Sequence, residues 1–425
     1  MKKDTLNLNL AKLCGLALPF ITLRWNLFSF SFTLFLIIIS FFSVYLIVKM
    51  RKTIYIHKCD IIYIIFLIIA LFSLLYSESA SYGLTRYIKL LIVVILYFIY
   101  KNAFYKQSKY ISIILKYSIY GMTIMLTYLA YIYLIKFDVN YIGLSTAYPT
   151  RESRNSLSFV IVIIFGFLVS DVLISLRNGN LSFFKILLLG YNFILSIIVQ
   201  SRALFLIILF YLVIVLITFI KKQKQLRTMF ALIIIIFAVF IFLPNSIKSS
   251  INDRFSTLAT FFDDDYVEVN NSLSARSELL IRGYEIFKEN TFFGSGFGSF
   301  MFYGGINSQI SHNDYLLVLS EQGLVGFTVF IIMLFISVFY SIKNFVYRKN
   351  FANLSLLLSL FGVVIYFLFI NAYDNILFWV ILSFISVNYQ ENSLKNHEIE
   401  NLYNLNLNLL EISYENNWFK GNTKC

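Results

Sequence analysis

The sequence predicts an all-α, polytopic helical membrane protein with about twelve transmembrane helices, and three observations carry that reading. The first is composition. The 425 residues are 59% hydrophobic and only 13% charged, whereas a soluble domain carries about 45–50% apolar and about 25% charged residues. The second is that, in a chain whose mean hydropathy is +0.77, the apolar residues gather in long runs instead of alternating. That excludes an outer-membrane barrel, a soluble globular enzyme and a disordered scaffold. The third is the placement of the cations, on every second loop between the runs.

A bilayer core takes roughly 20 apolar residues of helix, with about 17 the lower limit. Such runs fall at 10–23, 27–48, 60–76, 88–100, 111–135, 156–175, 183–199, 203–220, 229–243, 316–342, 353–370 and 375–389, of which the first, fourth, ninth and twelfth are short. With Lys2 and Lys3 on the cytoplasmic side, the inside loops hold Lys49, Arg51, Lys52, Lys58, Lys101, Lys106, Lys109, Arg177, Lys185, Lys221, Lys222, Lys224, Arg227, Lys343, Arg348 and Lys349. That is sixteen cations against one carboxylate, Asp60. The outside loops are poorer, with Arg24, Arg86 and no cation in 371–375. This is the positive-inside pattern, with both termini cytoplasmic. It accounts for most of the net charge of +13 (35 minus 22), so no nucleic-acid partner is needed to explain it.

The chain therefore divides into spans one to nine over 1–243, a large outside loop over 244–315, spans ten to twelve over 316–389, and a polar cytoplasmic tail over 390–425. The loop holds nine carboxylates: Asp253, Asp263, Asp264, Asp265, Glu268, Glu278, Glu285, Glu289 and Asp314. A loop of that length is functional or disordered, and its patterning favours order. Residues 274–290 read as an amphipathic helix with Leu279, Leu280, Gly283, Ile286 and Phe287 on one face. Cys14, Cys59 and Cys425 have no metal-ligand spacing, so neither a disulfide framework nor a zinc site is expected. The run Asp263-Asp264-Asp265 reads as solvated surface, and no metal is expected. The first apolar run has no small-residue cleavage pattern, so no cleavable signal peptide is expected.

Three features on the outer side could carry chemistry. Gln200-Ser201-Arg202 lies between two apolar runs, where an arginine either snorkels to the surface or marks a site. On the 274–290 helix, Arg282 has Glu278 at i−4 and Glu285 at i+3, which reads as a surface ion-pair set. Arg276 has Leu279 and Leu280 one turn on, which turns it to the packing face, where a planar guanidinium suits a phosphate. The third feature is Ser311-His312-Asn313-Asp314-Tyr315. Of three histidines, His312 is the one placed outside, and it suits a general base or a plain interfacial hydrogen bond. Asp314 is placed to orient its ring. Between the second and third features, Gly294-Ser295-Gly296-Phe297-Gly298 reads as an anion-binding nest or a tight turn.

In order along the chain come Arg154-Asn155-Ser156, Ser201-Arg202-Ala203, Ala275-Arg276, Phe292-Phe293-Gly294-Ser295-Gly296-Phe297-Gly298, His312-Asn313-Asp314-Tyr315-Leu316 and Glu321-Gln322-Gly323-Leu324-Val325-Gly326. This series resembles the bacterial O-antigen ligase/polymerase family, in motif terms over about 155–330. The resemblance implies a GT-C-like inner-membrane glycosyltransferase whose active site faces the periplasm. Such an enzyme moves a glycan from an undecaprenyl-diphosphate carrier to an acceptor hydroxyl, with no cofactor and no metal. It also implies that Arg202 and Arg276 hold the lipid diphosphate and that His312 serves the acceptor. Arg282, Gly294, Gly296, Gly298, Asn313 and Asp314 are then candidate substrate-binding residues.

The implied partners are the lipid-linked oligosaccharide, an acceptor glycan or lipid A-core, the lipid bilayer and a chain-length regulator protein. A polymerase extends a lipid-linked repeat unit, and a ligase moves finished polysaccharide onto lipid A-core. The glycine turn resembles the polymerase branch, by analogy. A lipid-linked oligosaccharide flippase is the alternative from another class. Its binding helices would be broken near the bilayer midplane, whereas Pro19, Pro149 and Pro244 all lie near span ends.

Overall fold

The structure is a computed structural model and describes residues 2–22, 25–27, 30–32, 34–50, 56–57, 60–131, 154–197, 199, 201–220, 271–303 and 309–392. Among these residues the helices are α1 (Lys2–Ala17), α2 (Leu34–Met50), α3 (Ile61–Ser73), α4 (Ala80–Phe104), α5 (Ser108–Tyr131), α6 (Arg154–Arg177), α7 (Phe183–Ile197), α8 (Arg202–Ile220), α9 (Asn271–Glu289), α10 (Asp314–Tyr347), α11 (Phe351–Tyr366) and α12 (376–392). One small departure from all-α is an antiparallel pair, Trp25–Leu27 with Phe30–Phe32. The expected span at 229–243, the run Asp263–Asp265 and Gly304-Gly305 lie outside the described residues, as does most of the tail.

Among the described residues four helices, those over Ala80–Phe104, Ser108–Tyr131, Asn155–Arg177 and Asp314–Tyr347, are long and apolar enough to cross a membrane; α2, α3, α7, α8 and α11 include shorter apolar helices. The chain is a helical membrane protein. α6 lies at its centre, with Phe159 to Phe165 each fully buried, packed by α5, α7, α8 and α11. Apolar side chains in lipid gain nothing by associating, so such helices hold together by close approach and by hydrogen bonds between them. Both are present. A Cβ on Gly166 would fall 2.7 Å from Ser359 Oγ and 3.0 Å from its backbone nitrogen, and Ser359 Oγ donates to the Ile163 carbonyl at 2.6 Å. Tyr211 on α8 donates to the Leu358 carbonyl at 2.8 Å.

Two expectations about charges are corrected. Span four begins earlier than the apolar run, so Arg86 sits within α4 and not in a loop. Lys101, read as a loop cation, is buried at the other end of α4 and pairs with Asp60. The Asp60 carboxylate also accepts from the Tyr97 hydroxyl and the His57 amide, each at 2.7 Å. A buried charge without such partners would cost several kcal/mol, roughly.

Candidate functional site

α10 is broken. At Gly323 the backbone takes φ 62° and ψ −164°, a region open essentially to glycine alone. In a membrane the backbone groups freed by a break must find partners, and here the glycine-rich turn supplies them. The amides of Ser295 and Gly296 donate to the Ser320 and Glu321 carbonyls, both at 2.9 Å, while those of Leu324 and Val325 donate to the Thr291 and Phe292 carbonyls at 2.9 and 3.2 Å. The amides of Gly298 and Phe300 point at the Glu321 carboxylate. Of the two readings of Gly294, Gly296 and Gly298, nest or tight turn, the turn is what these contacts describe. Their turn does take positive φ, at 75°, 103° and 85°, but Gly294 N–H bonds Asn290, and the anion the turn receives is the protein's own Glu321.

Glu321 Oε1 also accepts Arg86 Nη1 at 2.7 Å, the two side chains being 1% and 12% exposed. Arg86 Nη2 donates to the Tyr373 hydroxyl at 2.9 Å, and the guanidinium lies 5.0 Å from the centre of the Phe297 ring.

His312 precedes α10 in the left-handed region, φ 52°, uncommon for a residue with a Cβ. Its amide donates to Asn371 Oδ1 at 2.8 Å. Asn313 caps α10 by accepting the Leu316 amide at 3.0 Å, the ordinary work of an N-cap asparagine. Asp314 is fully buried and accepts the Ala372 amide at 2.7 Å, with Asn371 and the Tyr373 amide also beside it. Asn313 and Asp314 thus act on the helix start and the 371–373 turn. Sequence reasoning aimed Asp314 at the imidazole, but two residues across a helix start it turns inward. Burial and the nearby charge of Arg276 both lower the His312 pKa from its usual value.

α9 packs on α10 through Gly283, where a Cβ would fall 2.6 Å from Leu316 Cδ2. Leu279 and Ile286 are buried as expected, but Leu280 is exposed. The two α9 arginines exchange their expected places. Arg282 is half-buried and its Nη2 donates to the Tyr303 carbonyl at 2.6 Å, tying the helix to the chain beyond the glycine turn. Arg276 is exposed yet lies in electrostatic reach of His312 and Tyr366. The reason is position along the helix, since Arg276 falls a turn before the packed stretch begins at Leu279.

Ser201 caps α8, its Oγ accepting the Leu204 amide at 3.4 Å, so Arg202 is the first residue of that helix. A cation there opposes the helix macrodipole, and both it and the helix start favour an anion. Tyr366, at the end of α11, lies beside the hydroxyls of Ser158 and Ser201 and feels Arg276; its own hydroxyl donates to the Asn155 carbonyl at 3.3 Å. Tyr366 thus lies beside Asn155 and Ser201, and Arg276 is in electrostatic reach of both Tyr366 and His312. A guanidinium suits a phosphate and an imidazole suits proton transfer, and Arg276 lies within electrostatic reach of His312.

Sequence reasoning missed Arg86, Glu321, Asn371, Tyr373 and Tyr366. Glu321 carried a usable signal, because an ionisable group inside an apolar run asks for a partner. Tyr366 carried none in a chain with 30 tyrosines.

The described residues define a helical membrane protein in which Arg202 opens α8, Arg276 lies early in α9 and His312 just precedes α10. Residues 186–331, which run from α7 through the glycine turn into α10 and hold Arg202, Arg276 and His312, are similar to the family described as O-antigen ligase. No curated protein matches the chain.

Proposed function

We propose that the protein is an O-antigen polymerase, a membrane glycosyltransferase that moves a glycan from an undecaprenyl-diphosphate carrier to the terminal sugar hydroxyl of a lipid-linked repeat unit on the periplasmic face. The observation that carries the reading is that Arg276 lies in electrostatic reach of His312 and of Tyr366, which sits beside Ser201; Ser201, Arg202, Arg276 and His312 all fall within the family-matched stretch.

The bond that breaks joins the donor's anomeric carbon to a phosphate oxygen; the bond that forms joins that carbon to the acceptor oxygen. Charge grows on the leaving diphosphate, and Arg202 and Arg276 stabilise it more as it grows, which accelerates the step. The acceptor proton passes to His312. Its lowered pKa keeps the ring neutral near pH 7, able to accept a proton. The diphosphate carrier sits in lipid. Exposed Ile281, Tyr284, Phe292 and Phe293 beside the site suit the boundary where headgroups lie.

Ligation of finished polysaccharide to lipid A-core is the second reading, favoured by the description of the matched family. A flippase is disfavoured: the one break inside α10 is filled by the protein's own turn, where a transporter would leave such a break for its ligand. The test is deletion of the gene in its host, complementation with wild type, Arg202→Ala, Arg276→Ala or His312→Ala, and a silver-stained gel of the lipopolysaccharide. Core plus one repeat unit in the deletion supports polymerase, and bare core with polymer on the carrier supports ligase. A normal ladder from all three variants overturns the assignment.

A further inference from the structure

We propose that Arg86 is a positioning residue for His312, holding the backbone from which the imidazole projects by closing a ring of contacts around the break in α10. The inference rests on the function proposed above for His312, while its own observable, the fixing of that side chain, does not.

The ring can be followed bond by bond. Arg86 on α4 grips Glu321 at 2.7 Å and the Tyr373 hydroxyl at 2.9 Å. Tyr373 belongs to the 371–374 turn, whose Asn371 accepts the His312 amide at 2.8 Å and whose Ala372 amide bonds Asp314 at 2.7 Å. Asp314 begins α10, and seven residues on the same helix returns the path to Glu321. Glu321 meanwhile receives the Gly298 and Phe300 amides, so the guanidinium joins both turns that flank the site. A second cation, Lys89 one turn along α4, holds the same turn through Asp374 at 3.0 Å.

Two facts make this more than packing. His312 stands at φ 52°, and a non-glycine residue persists there only where its surroundings over-determine it; Asn371 is the partner that does so. The guanidinium contacts two separate acceptors through different nitrogens, a geometry that a lysine ammonium does not reproduce. A charge this enclosed is a costly way to tie loops together where neutral hydrogen bonds would serve, and the loops it ties are those that flank His312.

The test uses the full chain in nanodiscs. Diethyl pyrocarbonate labelling of His312 is followed by mass spectrometry, with His57 at the other end of the bundle as internal reference, alongside transfer kinetics on a lipid-diphosphate-linked glycan. For Arg86→Gln the expected result is a several-fold rise in His312 labelling relative to His57. A fall of about 10²-fold in kcat is expected with little change in KM, as for a misplaced catalytic group. Arg86→Lys is expected to recover only part of both. Asn371→Ala removes the His312 contact while leaving the buried ion pair intact, so it serves if Arg86→Gln does not fold; it is expected to raise labelling similarly. Unchanged labelling in both Asn371→Ala and a folded Arg86 variant overturns the proposal. Faster labelling together with full activity of His312→Ala would leave the ring standing and overturn the proposed reaction instead.

Discussion

Replacing Gly323 by alanine probes the junction on which the site is built. The residue sits at φ 62° and ψ −164°, where a side chain costs of order 1–3 kcal/mol. The added Cβ would lie 2.4 Å from the Phe292 carbonyl carbon and oxygen and 2.5 Å from Gly294 N, all backbone atoms that cannot swing aside. Such overpacking costs about 1–3 kcal/mol more, so the sum is about 2–6 kcal/mol against a typical total of about 5–15 kcal/mol. Relief by withdrawing the glycine turn leads to a similar figure. It breaks the hydrogen bonds made by Ser295, Gly296, Leu324 and Val325, each contributing about 1 kcal/mol. At roughly 2 °C per kcal/mol for a large domain, thermal unfolding in nanodiscs should fall by roughly 4–12 °C. Gly179→Ala is the control. It has a similar φ of 75° but nothing within 4 Å of the added Cβ, so it should cost only about 1–2 kcal/mol. Equal shifts for the two variants would refute the reasoning, because they would mean that φ alone matters and the interlock does not.

Three further outcomes follow from particular contacts. Burial first, and Arg276 second, lower the His312 pKa below 6.5. A neutral base therefore survives as pH falls past that value, and the acid limb of transfer lies below it; Arg276→Gln should move the limb upward in a pH–rate profile, with burial still holding it down. The neutral-histidine contribution to stability is correspondingly full above the ordinary pKa and declines as pH drops towards the folded one. Lys101→Met should lower stability by about 3–5 kcal/mol by stranding Asp60, while the double change with Asp60→Leu should be milder, as thermal unfolding would show. A dye on Tyr284→Cys should be quenched by brominated lipids if this exposed face of α9 lies at the bilayer boundary, and an aqueous response would move the site away from the membrane surface.

Among the described residues most helices were legible because long apolar runs point to helix, although the run at 27–48 begins in the strand pair and its helix only at Leu34. Their ends were not. Arg86 lies two residues before the run at 88–100, yet α4 begins at Ala80, since a helix extends into polar sequence wherever its side chains find partners. Arg276 and His312 were recognisable by residue type and order, and the structure brings them together. The glycine turn was legible as a turn but not in its purpose, because its acceptors, Ser320 and Glu321, are some 25 residues further along and only tertiary folding aligns them. The same distance hid the partner of Arg86, which sits 235 positions away.

The central claim is that Arg202, Arg276 and His312 form one transferase site for a lipid-diphosphate glycan donor. The most direct measurement reconstitutes purified protein in liposomes carrying undecaprenyl-diphosphate-linked oligosaccharide as the sole sugar source, and follows chain growth and carrier release by mass spectrometry. Growth without any nucleotide sugar is expected, with losses of about 10²–10³-fold for each of Arg202→Gln, Arg276→Gln and His312→Ala, the usual scale for removing one group that stabilises or serves the transition state. Movement of the intact glycolipid across the bilayer with no new glycosidic bond, or full transfer by all three variants, would contradict the claim.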